Sequence, residues 1–174
     1  MKFDSSIVQT TFNSPLGNII IAATDKGLAG LWFEGQRHSP AELTGVRPAW
    51  PSAPQHPLLK KTGMQLDEYF TGKRTQFDVP LDLSGGTTFQ QAVWKVLLAI
   101  PQGGTSSYSE VSQRIGNPAA VRAVGAAVGR NPVSIVVPCH RVVGSSGSLT
   151  GYAGGLDRKT ALLKLEDALQ ENMF

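Results

Sequence analysis

The strongest constraint on this chain is a change of period at Ser84-Gly85-Gly86. Ahead of it, short runs rich in β-branched residues alternate with tight turns. Behind it, apolar residues recur at helical spacing. A chain of 174 residues broken in this way is expected to form two small units, residues 1–86 and 87–174, each with its own core. In the first, residues 7–12, 18–23 and 28–33 predict a three-stranded antiparallel meander, turned at Ser14-Pro15-Leu16-Gly17 and at Asp25-Lys26-Gly27. Residues 34–56 hold Pro40, Pro48, Pro51 and Pro54 and read as an irregular loop. An amphipathic helix follows over 58–70, and 77–83 reads as a short strand or an extended linker.

The second unit reads as helical. Thr87 and Thr88 each stand three residues ahead of a Gln, a capping-box pattern that opens a helix over 89–100, ended by Pro101. Ser107 stands likewise ahead of Glu110 and opens a helix to about 115. Asn117-Pro118 offers an N-cap and a proline at the first position of a helix over 118–129. Two short helices joined by a Gly-containing turn make a helix-turn-helix pattern. A last helix is expected over 157–169, with Ala161, Leu162, Leu165 and Leu169 inward. The fold class is therefore α+β: a small N-terminal α/β domain with an antiparallel sheet, and a mostly helical C-terminal domain.

With 41% hydrophobic residues and little net charge, the chain is not a disordered polymer. No apolar run nears the roughly 20 residues of a membrane span, and Asp4 interrupts any signal-peptide pattern. A soluble, cytoplasmic protein is expected. Cys139 is the single cysteine, which excludes an internal disulfide and a four-cysteine zinc site; no metal and no cofactor are expected. The net charge of +3 falls entirely within residues 105–155, where Arg114, Arg122, Arg130 and Arg141 face one acid, Glu110. A basic region made only of arginine suits an anionic partner.

Two stretches stand out. The helix PAAVRAVGAAVG has one long side chain, Arg122, and contains Gly125, although glycine within a helix costs up to about 1 kcal/mol relative to Ala. Thinness serves either close packing against another helix or close approach of backbone to a large ligand such as a DNA groove. The other stretch is Ile135-Val136-Val137-Pro138-Cys139-His140-Arg141-Val142-Val143. A thiol with an ordinary pKa of about 8.5 needs a base or an electropositive setting to become the nucleophilic thiolate. On an extended strand Cys139 and His140 would point apart; a bend at Pro138 lets them converge. Glu166 is the carboxylate nominated to orient the imidazole.

Pro138-Cys139-His140-Arg141-Val142 is the PCHRV signature of the O6-alkylguanine-DNA alkyltransferase family, the methylated-DNA–protein-cysteine methyltransferases, and the chain resembles that family in detail from about Thr88 to Glu166. Ile100-Pro101-Gln102-Gly103, Ser107-Tyr108, Arg122-Ala123-Val124-Gly125, Asn131-Pro132, Gly151-Tyr152-Ala153-Gly154-Gly155-Leu156, Lys159 and Glu166 match in order. Ser14-Pro15-Leu16-Gly17 and Gly27-Leu28 agree more loosely.

The resemblance implies a suicide methyltransferase that moves an alkyl group from O6 of guanine irreversibly to Cys139, with O4-alkylthymine as a second candidate substrate. It implies that His140, oriented by Glu166, accepts the thiol proton, that Asn131 is an orienting hydrogen-bond residue, and that Tyr108 donates a proton to guanine. Arg122 would fill the gap left by the flipped nucleotide. Ala123, Gly125, Ala126, Ala127 and Arg130 would lie against the minor groove. Val142, Val143, Tyr152, Ala153 and Gly154 would shape the pocket. Ala153 replaces a serine frequent in the family, which bears on the range of alkyl groups accepted. Lys159 reads as a solvated side chain. The implied partner is double-stranded DNA containing O6-alkylguanine; the protein is expected as a monomer in solution, with cooperative binding along DNA left open. The alternatives are a non-catalytic sensor of alkylation damage, against which Cys139 itself speaks, and a cysteine hydrolase.

Overall fold

The computed structural model describes residues 1–169, which divide into two compact units at Gly85/Gly86. In the first, β1 (Val8–Ser14), β2 (Gly17–Thr24) and β3 (Gly27–Phe33) form an antiparallel meander in that order. Ser14 pairs with Gly17 across the first turn, and the Ser14 hydroxyl both donates to Gly17 O and accepts from Leu16 N. β2 carries a bulge at Ala22/Ala23.

Both outer strands have covered edges. Gln9 of β1 donates its backbone N–H to Pro51 O and accepts from Ala53 N; Leu28 of β3 does the same with Pro80 O and Asp82 N. A Cβ on Gly27 would lie 2.8 Å from Pro80 O, so only glycine admits this approach. Residues 77–83 therefore make one bridge, at Leu81, and no full strand. The 34–56 segment is not wholly irregular: it contains a single turn, α1 (Ala41–Thr44), ended by Gly45 in the left-handed region. Its Trp50 packs with Phe3 and Trp32 against Ile7, Ala22 and Ala29. α2 (Pro57–Phe70) packs on the three strands through Leu59, Leu66 and Tyr69.

The second unit begins with α3 (Thr88–Leu97), capped by the Thr87/Gln90 box. β4 (Ser106–Ser107) leads straight into α4 (Tyr108–Arg114), capped by the Ser107/Glu110 box. The next helix, α5 (Val121–Gly129), begins three residues later than expected. Asn117 and Pro118 form a turn instead, closed by Ala120 N donating to Asn117 O. α3, α4 and α5 pack together, and the Trp94 indole N–H donates to Ala127 O at 2.8 Å. β5 (Val142–Val143) pairs in parallel with β4. The last helix, α6 (Leu156–Leu165), stops short of the expected end. Its inward residues are Lys159, Leu162 and Leu163, while Leu165 is 36% exposed, so the inward face is rotated from the expected one.

Candidate active site and DNA-binding face

The thiol sits on a short, heavily braced piece of chain. After α5, Asn131 folds its side chain over the next six residues. Its amide donates to Val137 O at 2.7 Å and to Val133 O at 3.5 Å, and its Oδ1 accepts from Val133 N at 3.0 Å. Between those anchors Ile135 adopts φ 72°, a left-handed conformation rarely taken by a β-branched residue. Pro138 then opens a single 3-10 turn, Cys139–Arg141. The bend expected at Pro138 is present, and Cys139, His140 and Arg141 all sit on that one turn, each buried.

His140 Nε2 lies 2.8 Å from Glu166 Oε2. An ionised carboxylate only accepts, so Nε2 carries the hydrogen and Nδ1 the lone pair. Among the described residues Nδ1 has no hydrogen-bond partner. It is a base without a proton, one residue from the thiol.

The electrostatics favour the neutral forms of both groups. Burial pushes the Cys139 thiol above its ordinary value, more than Asn131, Lys159 and Ser134 together pull it down. Burial likewise holds His140 below 6.5, against the pull of Glu166. At neutral pH the pair rests as thiol and neutral imidazole, not as a preformed thiolate.

Lys159 is not solvated. It is fully buried, and its Nζ donates to Val142 O at 2.6 Å, Thr150 O at 2.7 Å and Gly151 O at 3.3 Å. Burial lowers its pKa to about 8, and its charge acts on Cys139. Arg141 does not belong to the surface charge either. Its guanidinium is spent on Glu166 and on Ile100 O. The exposed arginines of the basic region are Arg114, Arg122 and Arg130.

Of the residues expected to shape a pocket, some are tied to this turn by chain or by charge. Val142 and Val143 follow it directly and are buried. Ser107 pairs with Val143, and Tyr108 follows it as the first residue of α4, with its ring edge beside Gly125 of α5. Tyr152 is 5% exposed, and burial raises its hydroxyl pKa well above 10, with the Cys139 charge acting in the same direction. Ala153 is half-buried and Gly154 buried, and Gly154 O accepts from Arg158 at 3.1 Å.

On α5 the inward residues are Val124, Ala127 and Val128, and the outward ones include Arg122, Ala123, Ala126 and Arg130. Ala127 is therefore corrected: it faces the core at 2% exposure, and its carbonyl is occupied by Trp94. A Cβ on Gly125 would meet Tyr108 Cδ1 at 3.9 Å, an ordinary contact, and one on Gly129 would meet nothing within 4 Å. Packing within the unit thus does not require either glycine. Close packing on α3 accounts for the small Ala127, while the two glycines have no packing reason within this unit.

No helix among the described residues is long and apolar enough to cross a membrane. Residues 88–168 match the 6-O-methylguanine DNA methyltransferase DNA binding domain, and residues 7–83 match the ribonuclease-like domain of the same proteins. The methylated-DNA–protein-cysteine methyltransferase of Mycobacterium tuberculosis is 49% identical over 156 residues, 90% of each chain. The inducible enzyme of that name from Bacillus subtilis is 46% identical over 161 residues, 90% of this chain and 88% of that one. Among solved structures, Mycobacterium tuberculosis OGT in complex with DNA superposes with a TM-score of 0.83 at 47% identity, covering 92% of this chain and 93% of that one. With both of its units matched in order, this chain belongs to the 6-O-methylguanine DNA methyltransferase family.

Proposed function

We propose that the chain repairs O6-alkylguanine in double-stranded DNA by direct reversal, taking the alkyl group onto the sulfur of Cys139. His140 Nδ1 receives the thiol proton as the sulfur attacks the alkyl carbon. The carbon–oxygen bond breaks, its electron pair returns to guanine, and Tyr108 supplies the proton that the base then needs. The product thioether is a poor leaving group, so each molecule acts once. Because thiol and imidazole are both neutral at rest, the proton moves when substrate is in place rather than beforehand.

The damaged base must leave the stack to reach a buried sulfur, at a cost of about a few kcal/mol. Arg122 occupies the vacated space, and Ala123, Gly125, Ala126 and Arg130 let α5 lie close to the duplex. Asn131 holds the turn that carries Cys139, and Val142, Val143, Tyr152, Ala153 and Gly154 wall the pocket. Residues 87–174 carry binding and transfer, and residues 1–86 support them. The protein acts in the cytoplasm and is a monomer in solution.

The observation that carries this reading is the placing of the only cysteine beside His140 on a single braced turn, with the imidazole bonded to Glu166 at the end of α6. The test is nucleoside analysis of duplex DNA containing O6-methylguanine after incubation. Conversion of one O6-methylguanine to guanine per protein molecule, abolished in Cys139→Ala, supports transfer. Binding with the lesion unchanged supports the damage-sensor alternative and overturns it.

A further inference from the structure

Arg141 stands in the signature, but the mechanism above gives it nothing to do. It is 8% exposed in a unit whose other arginines on this stretch are exposed. Its three arms are all engaged. Nε donates to Glu166 Oε1 at 2.8 Å, one terminal nitrogen donates to Glu166 Oε2 at 3.1 Å, and the other donates to Ile100 O at 2.6 Å. Glu166 Oε2 is also the atom that takes His140 Nε2–H. One carboxylate is thus shared between two consecutive residues of the turn, and Arg141 fixes both of its oxygens.

Glu166 needs this. It is 3% exposed, and it caps the C-terminal end of α6, where the helix carbonyls present negative charge. Burial and helix end both oppose an anion, and a bidentate guanidinium is the strongest counterweight available. Were the carboxyl to become neutral or swing away, Nε2 would lose its acceptor. The hydrogen could then sit on Nδ1, the nitrogen that has to receive a proton.

We propose that Arg141 is a positioning residue for the transfer: by forking both oxygens of Glu166 while anchored to Ile100 O, it fixes the His140 tautomer and keeps Nδ1 free as the base. This rests on the reading of His140 as the base. The charged groups acting on His140 are Glu166, which favours imidazolium, and Arg141 and Lys159, which oppose it along with burial; Cys139 is its neighbour on the turn. Removing Arg141 leaves Glu166 less balanced, so the imidazole holds a proton to higher pH and the acid limb of the rate profile moves upward.

The test uses the full chain labelled with 15N-histidine, in wild type, Arg141→Met and Arg141→Lys, with His140→Asn to assign the resonance. Two readouts are taken: the His140 tautomer by NMR, and the rate of reaction with free O6-benzylguanine from pH 5.5 to 9. Wild type is expected as the Nε2–H tautomer. Arg141→Met is expected to show mixed tautomers or imidazolium, a rate lower by roughly 10- to 100-fold near neutral pH, the scale found when a residue orienting a functional group is removed, and a displaced acid limb. Should Arg141→Met not fold, Arg141→Lys decides, since it keeps the charge but cannot make the fork: it is expected to show the same changes in smaller measure. A folded variant with the wild-type tautomer, rate and profile overturns the proposal. Full activity in His140→Asn would instead overturn the base assignment, and the two failures are read separately.

Discussion

Replacing Lys159 with Met separates stability from chemistry. Met preserves the apolar stem and removes the ammonium, with its bonds to Val142 O, Thr150 O and Gly151 O. Val142 is fully buried, and stranding a buried carbonyl costs about 1–3 kcal/mol. Thr150 and Gly151 are exposed, so water replaces the other two bonds. Against this loss stands the burial of the charge itself, which brings Lys159 from 10.5 down to about 8. At about 1.36 kcal/mol per unit, Met relieves roughly 3 kcal/mol. The two effects oppose, and net stability changes by no more than about 2 kcal/mol, a shift in Tm of roughly 4–8 °C for a chain of this size. Because the folded pKa is the lower one, the burden of the charge is present below pH 8 and lifts as pH rises from 8 towards 10.5. The stability difference should therefore move in favour of wild type over that window. Transfer suffers more. The charge that opposes burial at Cys139 is gone, and the loop ahead of Tyr152 is untied from Val142. Thermal melts combined with single-turnover reaction against O6-methylguanine DNA at neutral pH should show a folded variant that transfers more slowly than wild type, since the thiol is left still further above its ordinary pKa. An unchanged rate in a folded variant, or a collapse in Tm far beyond that range, would refute the reasoning.

Four further outcomes are expected. Arg122→Ala should slow repair in duplex DNA by roughly tenfold or more, since flipping costs a few kcal/mol, while leaving reaction with free O6-benzylguanine intact; equal losses on both substrates would remove its gap-filling role. Gly125→Ala should raise stability by about 1 kcal/mol from helix propensity, since its Cβ fits beside Tyr108, yet weaken duplex binding in a titration; unchanged affinity would mean that this face of α5 does not meet DNA. Tyr108→Phe should slow transfer with binding preserved, and a wild-type single-turnover rate would end its proton-donor assignment. On its acid side the pH profile with free O6-benzylguanine should stay flat down to neutrality and fall below pH 6.5, because His140 is held below its ordinary value; an acid limb above 6.5 would contradict the neutral resting pair.

What could be read from the residues was mostly local. The Thr87 and Ser107 capping boxes, the meander and the bend at Pro138 depend on neighbours in sequence, and they formed as expected. The start of α5 was misread from a purely local turn, and the other differences arose where the deciding contacts are distant. Asn117-Pro118 had the composition of a helix start, but Ala120 closes a turn there, and α5 begins later with Ala127 inward. The spacing of Val124, Ala127 and Val128 already carried that phase. Lys159 looked solvated because lysine usually is; what buries it is a set of carbonyls 8 to 17 residues away. Arg141 counted as surface charge until Glu166, 25 residues on, took it. The thiol's resting protonation was out of reach for the same reason, since burial is a property of the assembled unit.

The central claim is that one sulfur accepts the alkyl group. Intact-mass measurement followed by peptide mapping, after incubation with duplex DNA carrying O6-methylguanine, tests it most directly. The account predicts a gain of one methyl group per chain, found on the peptide containing Cys139 and absent after reaction with unmodified DNA. An unaltered mass alongside tight binding to the lesion, or a methyl group on any other residue, would contradict it.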